Sequence, residues 1–150
     1  MHVQHDPDGV PWARVEEQRF PLSLSHADGH TAAAAHLTLR VGIDIERLRP
    51  LPAEYARYFL TPEEQNALSG WDDPASATLA AWVVKEAVLK AWGRGLRDPP
   101  SSVRIRSLAE GGVVLGNPEV VAGCWREEDR VVAVACVGAG ALPPVEVSRG

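Results

Sequence analysis

Apolar residues alternate with a glycine and two acidic residues over one short segment of the chain, Val41-Gly42-Ile43-Asp44-Ile45-Glu46. This period of two predicts a β-strand, because successive side chains of a strand point to opposite faces. The apolar residues would then face the core, and Asp44 and Glu46 would project together on the other side. Two solvated acids on a surface strand explain the same pattern, so the alternation alone does not assign a function.

A second segment, from Ala77 to Trp92, predicts an α-helix. It is rich in Ala, Leu, Val, Lys and Glu, holds no Gly or Pro, and is followed by Gly93 as a stop signal. Trp82, Glu86 and Lys90 are spaced four residues apart and therefore share one stripe of the helix. An exposed Glu86–Lys90 ion pair is the ordinary result of this spacing, but a tryptophan at the head of the stripe favours the wall of a cleft.

The rest of the pattern predicts strands on both sides of further short helices. Strands are expected at Phe20–Leu24, 31–37, 40–46, 103–108, 113–115, 121–126 and 131–137, although the alanines of 31–36 leave a helix open. Helices are expected at Glu54–Leu60 and from Thr61, as the N-cap before Pro62, to about Leu68. Residues 1–19 and 139–150 are expected to be loose. The chain is thus predicted to be a single α+β domain over residues 1–150, with antiparallel strands packed against a few helices.

Composition narrows the class of protein only coarsely. With 150 residues and 45% hydrophobic content, the chain can bury one core. It has no run approaching the roughly 20 apolar residues that span a bilayer, and its first residues lack the features of a signal peptide. We therefore expect a cytoplasmic protein without a membrane partner. Cys124 and Cys136 lie in apolar, strand-like segments and are expected to be buried thiols.

Basic residues are concentrated between positions 85 and 106. This stretch holds six basic residues against two acidic ones, a local balance of +4 in a chain whose net charge is −5. A basic region on an acidic protein indicates binding to a specific polyanion and not a general affinity for nucleic acid. Chance clustering on a solvated loop is the alternative.

Three carboxylates and two lysines stand out when the strand and the long helix are considered together. Asp44, Glu46 and Glu86 offer the oxygen ligands that a hard cation such as Mg²⁺ prefers. Lys85 and Lys90 lie within about one helical turn of Glu86 and could meet a phosphate. The residues therefore suit a divalent metal combined with a phosphorylated substrate.

These motifs resemble a known family. Val-Gly-Ile-Asp-Ile-Glu at 41–46, followed by Trp-x-x-Lys-Glu-Ala-x-x-Lys at 82–90, resembles the signature of the 4′-phosphopantetheinyl transferases, most closely their surfactin-synthetase-activating (Sfp-like) branch. Three further segments are similar to elements of that branch: Leu24-Ser25-His26, Tyr58–Glu64 and Gly93-Arg94-Gly95-Leu96. The likeness runs from about Gly9 to about Val137, which covers most of the chain.

The resemblance implies a fold and a chemistry. Members of the family move the phosphopantetheine arm of coenzyme A to a serine of an acyl or peptidyl carrier protein and release adenosine 3′,5′-bisphosphate. By resemblance, Asp44, Glu46 and Glu86 would hold Mg²⁺. Glu86, or a water on the metal, would take the proton of the serine, and Lys90 would neutralise or protonate the leaving phosphate. The residues implied to contact coenzyme A are Ser25, His26, Lys85, Lys90 and Arg94.

The chain departs from the two-lobed members of the family in its N-terminal part, because only residues 1–40 precede the first motif. It could work within a larger synthase or beside a partner, it could self-associate to rebuild a cleft, or it could be a remnant with little activity. Two other functions remain open: a non-catalytic module that binds coenzyme A or a carrier protein, and a Mg²⁺-dependent diphosphate hydrolase. The carrier, whether of polyketide, peptide or fatty-acid synthesis, is not decided by the sequence.

Overall fold

A computed structural model of the chain describes residues 1–94 and 97–145. Within these residues it contains nine strands, all paired antiparallel, and three α-helices. The strands are β1 (His2–His5), β2 (Pro11–Val15), β3 (Gln18–Ala27), β4 (His30–Ala35), β5 (Val41–Arg47), β6 (Ile105–Ala109), β7 (Gly112–Leu115), β8 (Val120–Glu127) and β9 (Arg130–Val137). The helices are α1 (Ala53–Phe59), α2 (Pro62–Asn66) and α3 (Ala77–Trp92). The predicted α+β class is confirmed.

The strands form two sheets and a separate hairpin. The first sheet has the order β1-β2-β3-β4, the second has the order β5-β9-β8, and β6 pairs with β7. The first sheet corrects one prediction, because residues 1–19 are not loose: they form β1, β2 and the start of β3. The predicted strand alternative for residues 31–36 is right, and the helix that their alanines left open is not formed.

The main core lies between α3 and the second sheet. On α3 the buried side chains are mostly Ala and Val, and on β9 they are Val131, Ala133 and Ala135. Such small side chains let the helix pack close to the sheet, and the contact is especially tight at Gly42 of β5. A Cβ built at Gly42 would lie 1.8 Å from the carbonyl oxygen of Ala87. The even-numbered face of β5, with Asp44 and Glu46, therefore faces the helix.

The odd-numbered face of β5 packs elsewhere. Ile43 and Ile45 join Val132 and Val134 in a second, smaller cluster that contacts alanines of β3 and β4. The expectation that the apolar side of β5 faces the main core is therefore wrong, because Gly42 turns the opposite side toward α3. An open groove of about 620 Å³ runs along this second cluster and ends at residues 142–145.

The ends of the helices follow local sequence signals. The bounds of α3 agree with the prediction, and Gly93 closes the helix in the left-handed conformation, with φ of 66°. Thr61 begins α2 as the N-cap of a capping box with Glu64. No helix of the described residues is long and apolar enough to cross a membrane. Both cysteines are buried free thiols.

The segment after β9 has no helix or strand over residues 139–145. Leu142 nevertheless packs against the second cluster, which holds this part of the segment on the sheet. Residues 146–150, also expected to be loose, lie outside the described residues, as do Gly95 and Leu96 of the predicted turn after α3.

Candidate functional site

Two serine hydroxyls join the two sheets. β5 is an edge strand of the second sheet, and the backbone N–H groups of Ile43 and Ile45 donate to Ser23 Oγ at 3.0 Å and to Ser25 Oγ at 3.2 Å. Both serines lie on β3 and are buried. Their hydroxyls satisfy backbone donors that an edge strand would otherwise leave unpaired, so the sheets meet through side chains at this point.

Asp44 lies at this junction and is held by donors from two elements. Lys90 of α3 approaches Asp44 Oδ1 with its Nζ at 2.8 Å, and the same ammonium reaches the carbonyl oxygens of Ile43 at 3.0 Å and Leu24 at 3.4 Å. Ser25 Oγ donates to the same Oδ1 at 2.9 Å. β3, β5 and α3 therefore converge on one carboxylate oxygen.

The second oxygen of Asp44 has no such partner. Oδ2 is buried and makes no hydrogen bond within the described residues. Buried carboxylate oxygens are almost always satisfied, so an exception calls for an explanation such as a bound ion. Oδ2 is thus the best-supported point at this junction for a cation to bind.

Two further carboxylates lie within electrostatic reach of Asp44. Burial raises the pKa of Glu46, and the negative charge of Asp44 raises it further, although Arg49 acts in the opposite direction. Burial also raises the pKa of Glu86, and the negative charges of Asp44 and Glu46 raise it further. The positive charge of Lys90 acts in the opposite direction. The three acids predicted as metal ligands therefore repel one another, and a cation would relieve that repulsion.

The donor chemistry fits a hard divalent cation. Within residues 1–94 and 97–145, however, no three Asp, Glu, His or Cys side chains stand as a ready-made ligand set. Mg²⁺ is usually bound by one or two carboxylates together with substrate phosphates and waters, and only rarely by a complete protein cage. The carboxylates and the unsatisfied Oδ2 of Asp44 suit that kind of partial site.

Ser25 and His26 are neighbours on β3 but point to opposite faces, as strand geometry requires. Ser25 is buried against Asp44, whereas His26 is exposed and its Nδ1 lies 2.8 Å from Thr31 Oγ1 of β4. The structure therefore brings Ser25 to the carboxylates and leaves His26 at the solvent-facing surface of the first sheet.

Lys85 lies in the core, away from this junction. Its side chain is fully buried, and its Nζ lies 2.9 Å from Glu64 Oε1, 3.1 Å from Glu64 Oε2 and 2.5 Å from the carbonyl oxygen of Phe59. Burial lowers the pKa of Lys85, and the hydrogen bond and charge of Glu64 counteract that shift. The structure thus places Lys85 in an internal ion pair, so the phosphate contact implied by the resemblance is not available in this arrangement.

Replacing Lys85 with methionine is expected to destabilise the protein by about 3–5 kcal/mol, because the negative charge of Glu64 would stay buried without a positive charge beside it. Denaturant unfolding measures this change. The double variant Lys85→Met, Glu64→Gln removes both charges but should recover only part of the loss, because glutamine has one acceptor oxygen for the backbone N–H groups of both Thr61 and Ile105. A Lys85→Met protein with unchanged stability and weakened coenzyme A binding would instead identify Lys85 as a phosphate ligand.

Four of the six basic residues between positions 85 and 106 are paired with acidic residues of the same chain, although the Arg94 and Arg97 pairs lie at the surface. Besides Lys85 and Lys90, Arg94 pairs with Asp98 at 2.8 Å and Arg97 pairs with Asp8 at 2.6 Å. The stretch therefore does not present its +4 balance as one free surface. Arg94, which the resemblance implied as a coenzyme A contact, is exposed at the end of α3.

Comparison with known proteins connects this geometry to a family. The model of the 4′-phosphopantetheinyl transferase superfamily matches residues 40–136. The chain belongs to this superfamily. The match includes β5 and α3 and hence the three carboxylates and Lys90, and it confirms the resemblance drawn from the motifs. Ser25 and His26 precede the matched range.

Several curated members of the superfamily are similar to this chain. 4′-Phosphopantetheinyl transferase Sfp of Bacillus subtilis (strain 168) is 29% identical over 106 residues, which cover 69% of the chain and 47% of that protein. Psf-1 of Bacillus pumilus is 34% identical over 110 residues, or 70% of the chain and 46% of that protein. HetI of Nostoc sp. is 33% identical over 87 residues, which cover 55% of the chain and 37% of that protein. The chain spans about half the length of the curated relatives it matches.

An aromatic cleft lies at Trp82, which the sequence indicated as a cleft wall, but the contribution of α1 to it was not predicted. The cleft has a volume of about 710 Å³, and Trp82 forms one wall, with its ring edge-to-face with Phe59 at 5.2 Å. Tyr55 and Tyr58 of α1 line it and are 51% and 74% exposed. Three aromatic residues in one short helix were the signal that could have revealed it.

Proposed function

We propose that this chain is a divalent-metal-dependent 4′-phosphopantetheinyl transferase. It transfers the phosphopantetheine arm of coenzyme A to a serine of an acyl or peptidyl carrier protein and releases adenosine 3′,5′-bisphosphate. The observation that carries the proposal is the junction of β3, β5 and α3, where Lys90 and an unsatisfied oxygen of Asp44 lie together. The names of the relatives, all 4′-phosphopantetheinyl transferases, support it.

Asp44, Glu46 and Glu86 are the residues we assign to the metal, with Mg²⁺ as the ion. A bound Mg²⁺ would neutralise charge on the diphosphate of coenzyme A. Since the pKa values of Glu46 and Glu86 are raised above their ordinary value of 4.5, protons compete with the cation at a higher pH than they do at solvated carboxylates. Metal affinity should therefore fall as the pH is lowered, and the fall should already begin at a pH above 4.5.

Lys90 and Glu86 lie one turn apart on α3 and have complementary roles in the proposal. The Lys90 ammonium is anchored by Asp44 and two backbone carbonyls, which holds a positive charge where the leaving phosphate needs one. The raised pKa of Glu86 suits a proton acceptor. Glu86 would take the proton of the carrier serine while the serine oxygen bonds to phosphorus.

The aromatic cleft is where we place the carrier protein. Exposed apolar patches on soluble proteins commonly mark interaction surfaces. Tyr55 and Tyr58 form such a patch, and Trp82 of the same cleft lies one helical turn before Glu86. A carrier bound there would deliver its serine to the neighbouring carboxylates.

The test is intact-mass spectrometry of apo carrier proteins from polyketide, peptide and fatty-acid synthesis after incubation with the chain, coenzyme A and Mg²⁺. The expected result is a gain equal to the mass of the arm on at least one carrier. No gain on any carrier that a control transferase modifies would contradict the proposal. Because the chain spans about half of its relatives, coenzyme A binding without transfer would favour a non-catalytic module that needs a partner.

A further inference from the structure

We propose that Ser25 is a positioning residue for Asp44, which it orients toward a metal ion. This inference rests on the proposed function, because Asp44 matters there as a metal ligand. It follows from the hydrogen bonds of a single hydroxyl group.

The hydroxyl of Ser25 is already fully engaged as a donor. A serine hydroxyl has one hydrogen to donate and lone pairs to accept with. Ser25 Oγ donates that hydrogen to Asp44 Oδ1 at 2.9 Å and accepts the Ile45 N–H at 3.2 Å. The side chain is also enclosed, since Ser25 is only 6% exposed.

The bond from Ser25 decides which oxygen of Asp44 stays unsatisfied. Oδ1 is held from β3 by Ser25 and from α3 by Lys90, at 2.9 Å and 2.8 Å. Two donors from different elements prevent the carboxylate from rotating, so Oδ2 is the oxygen left buried without a partner. With Lys90 alone, either oxygen could accept the ammonium and the orientation of Oδ2 would be lost.

Ser23 provides a matched control on the same strand. It is two residues before Ser25, is 3% exposed, and accepts the Ile43 N–H at 3.0 Å as Ser25 accepts that of Ile45. Only Ser25 also bonds to Asp44. The variants Ser23→Ala and Ser25→Ala thus remove equivalent links between the sheets, and their difference isolates the orientation of Asp44.

The experiment measures Mn²⁺ affinity without coenzyme A, from the electron paramagnetic resonance signal of the free ion. Loss of a residue that orients a metal ligand typically weakens binding 10- to 100-fold. We therefore expect Ser25→Ala to weaken Mn²⁺ binding by about 10-fold or more, and Ser23→Ala by less than about 2-fold. Ser25→Thr, which keeps the hydroxyl, should restore most of the affinity. Thermal unfolding of both alanine variants should be similar.

Two results would overturn the proposal. Equal losses of Mn²⁺ affinity in the two alanine variants would mean that only the link between the sheets matters. Unchanged Mn²⁺ affinity in Ser25→Ala, together with a raised KM for coenzyme A, would make Ser25 a substrate ligand.

Failure of the metal site itself is distinguishable from failure of this inference. If the wild-type protein binds no Mn²⁺, the metal part of the proposed function is wrong. A crystal structure of Ser25→Ala then decides the role of Ser25: a turned Asp44 carboxylate supports positioning, and an unmoved one contradicts it.

Discussion

Replacing Glu86 with glutamine is expected to reduce transfer of the phosphopantetheine arm by at least about 100-fold while the fold survives. The change removes both a negative charge proposed for the metal and the acceptor for the serine proton, and a general base alone contributes roughly 10²–10⁴ in rate. Glu86 makes no hydrogen bond or ion pair with another residue in the described part of the chain, so its amide analogue leaves no partner unpaired.

The same variant should be as stable as the wild type at pH 7, or more stable. The pKa of Glu86 in the folded protein is raised above its ordinary value of 4.5. At pH values just above 4.5, the folded state therefore binds a proton at Glu86 more readily than the unfolded state does. Stability of the wild type therefore falls as the pH rises through that window, whereas glutamine does not ionise. The difference in unfolding temperature between the variant and the wild type should grow from pH 4.5 to pH 7.

Initial rates of carrier modification and thermal unfolding at both pH values measure these effects. Glu119→Gln is the matched control, because Glu119 is an exposed acid just before β8, outside any helix, and its loss should change neither quantity. Asp44→Ala is less clean, because it also strips Lys90 and Ser25 of a partner. A Glu86→Gln enzyme with full activity would show that the site has been assigned to the wrong residues.

Local signals predicted the helices and hairpins well. The α3 helix is a run of good helix formers bounded by Gly93, and the β6–β7 and β8–β9 hairpins have strongly apolar strands on either side of short polar turns. Sequence alone therefore sufficed for the elements that carry the acids and Lys90. The alternation in β5 also predicted that Asp44 and Glu46 share a face, although not that this face packs on α3.

The N-terminal strands were missed although the first of their two turns carries a recognisable sequence. The turn between β1 and β2 is built by Asp6, whose Oδ1 accepts the backbone N–H groups of Asp8 and Val10, and by Gly9 at φ of 81°. The next turn places Glu16 at φ of 54°, a conformation that a non-glycine residue rarely adopts. The first turn carries Pro7-Asp8-Gly9, a common turn signature that the sequence prediction did not use, whereas the second turn, at Glu16-Glu17, carries none.

The positions of the lysines could not be read from spacing alone. Lys85 and Lys90 both lie near Glu86 along the helix, yet one is buried with Glu64 and the other reaches Asp44. Their partners come from other segments, and periodicity within α3 says nothing about what packs against each stripe. The same holds for the link from Ser25 to Asp44, which depends on how two sheets meet.

Gly42 explains how Asp44 and α3 come within reach of each other. A Cβ built at Gly42 would lie 1.8 Å from Ala87 O, 2.5 Å from Ala91 N and 2.9 Å from the Ala87 carbonyl carbon. All three are backbone atoms of the helix, so no change of side-chain rotamer can relieve the overlap. Only the absence of a side chain lets β5 and α3 approach this closely.

Gly42→Ala is therefore expected to destabilise the protein by roughly 3 kcal/mol or more, at the upper end of the cost of overpacking a core. The helix must move away from β5, which separates Lys90 from Asp44, so arm transfer should fall together with stability. Gly112→Ala is the control, because Gly112 starts β7, has no positive φ, and a Cβ there meets nothing within 4 Å. Denaturant unfolding of both variants measures the difference. Equal stabilities would contradict the close contact between β5 and α3 on which the whole site depends.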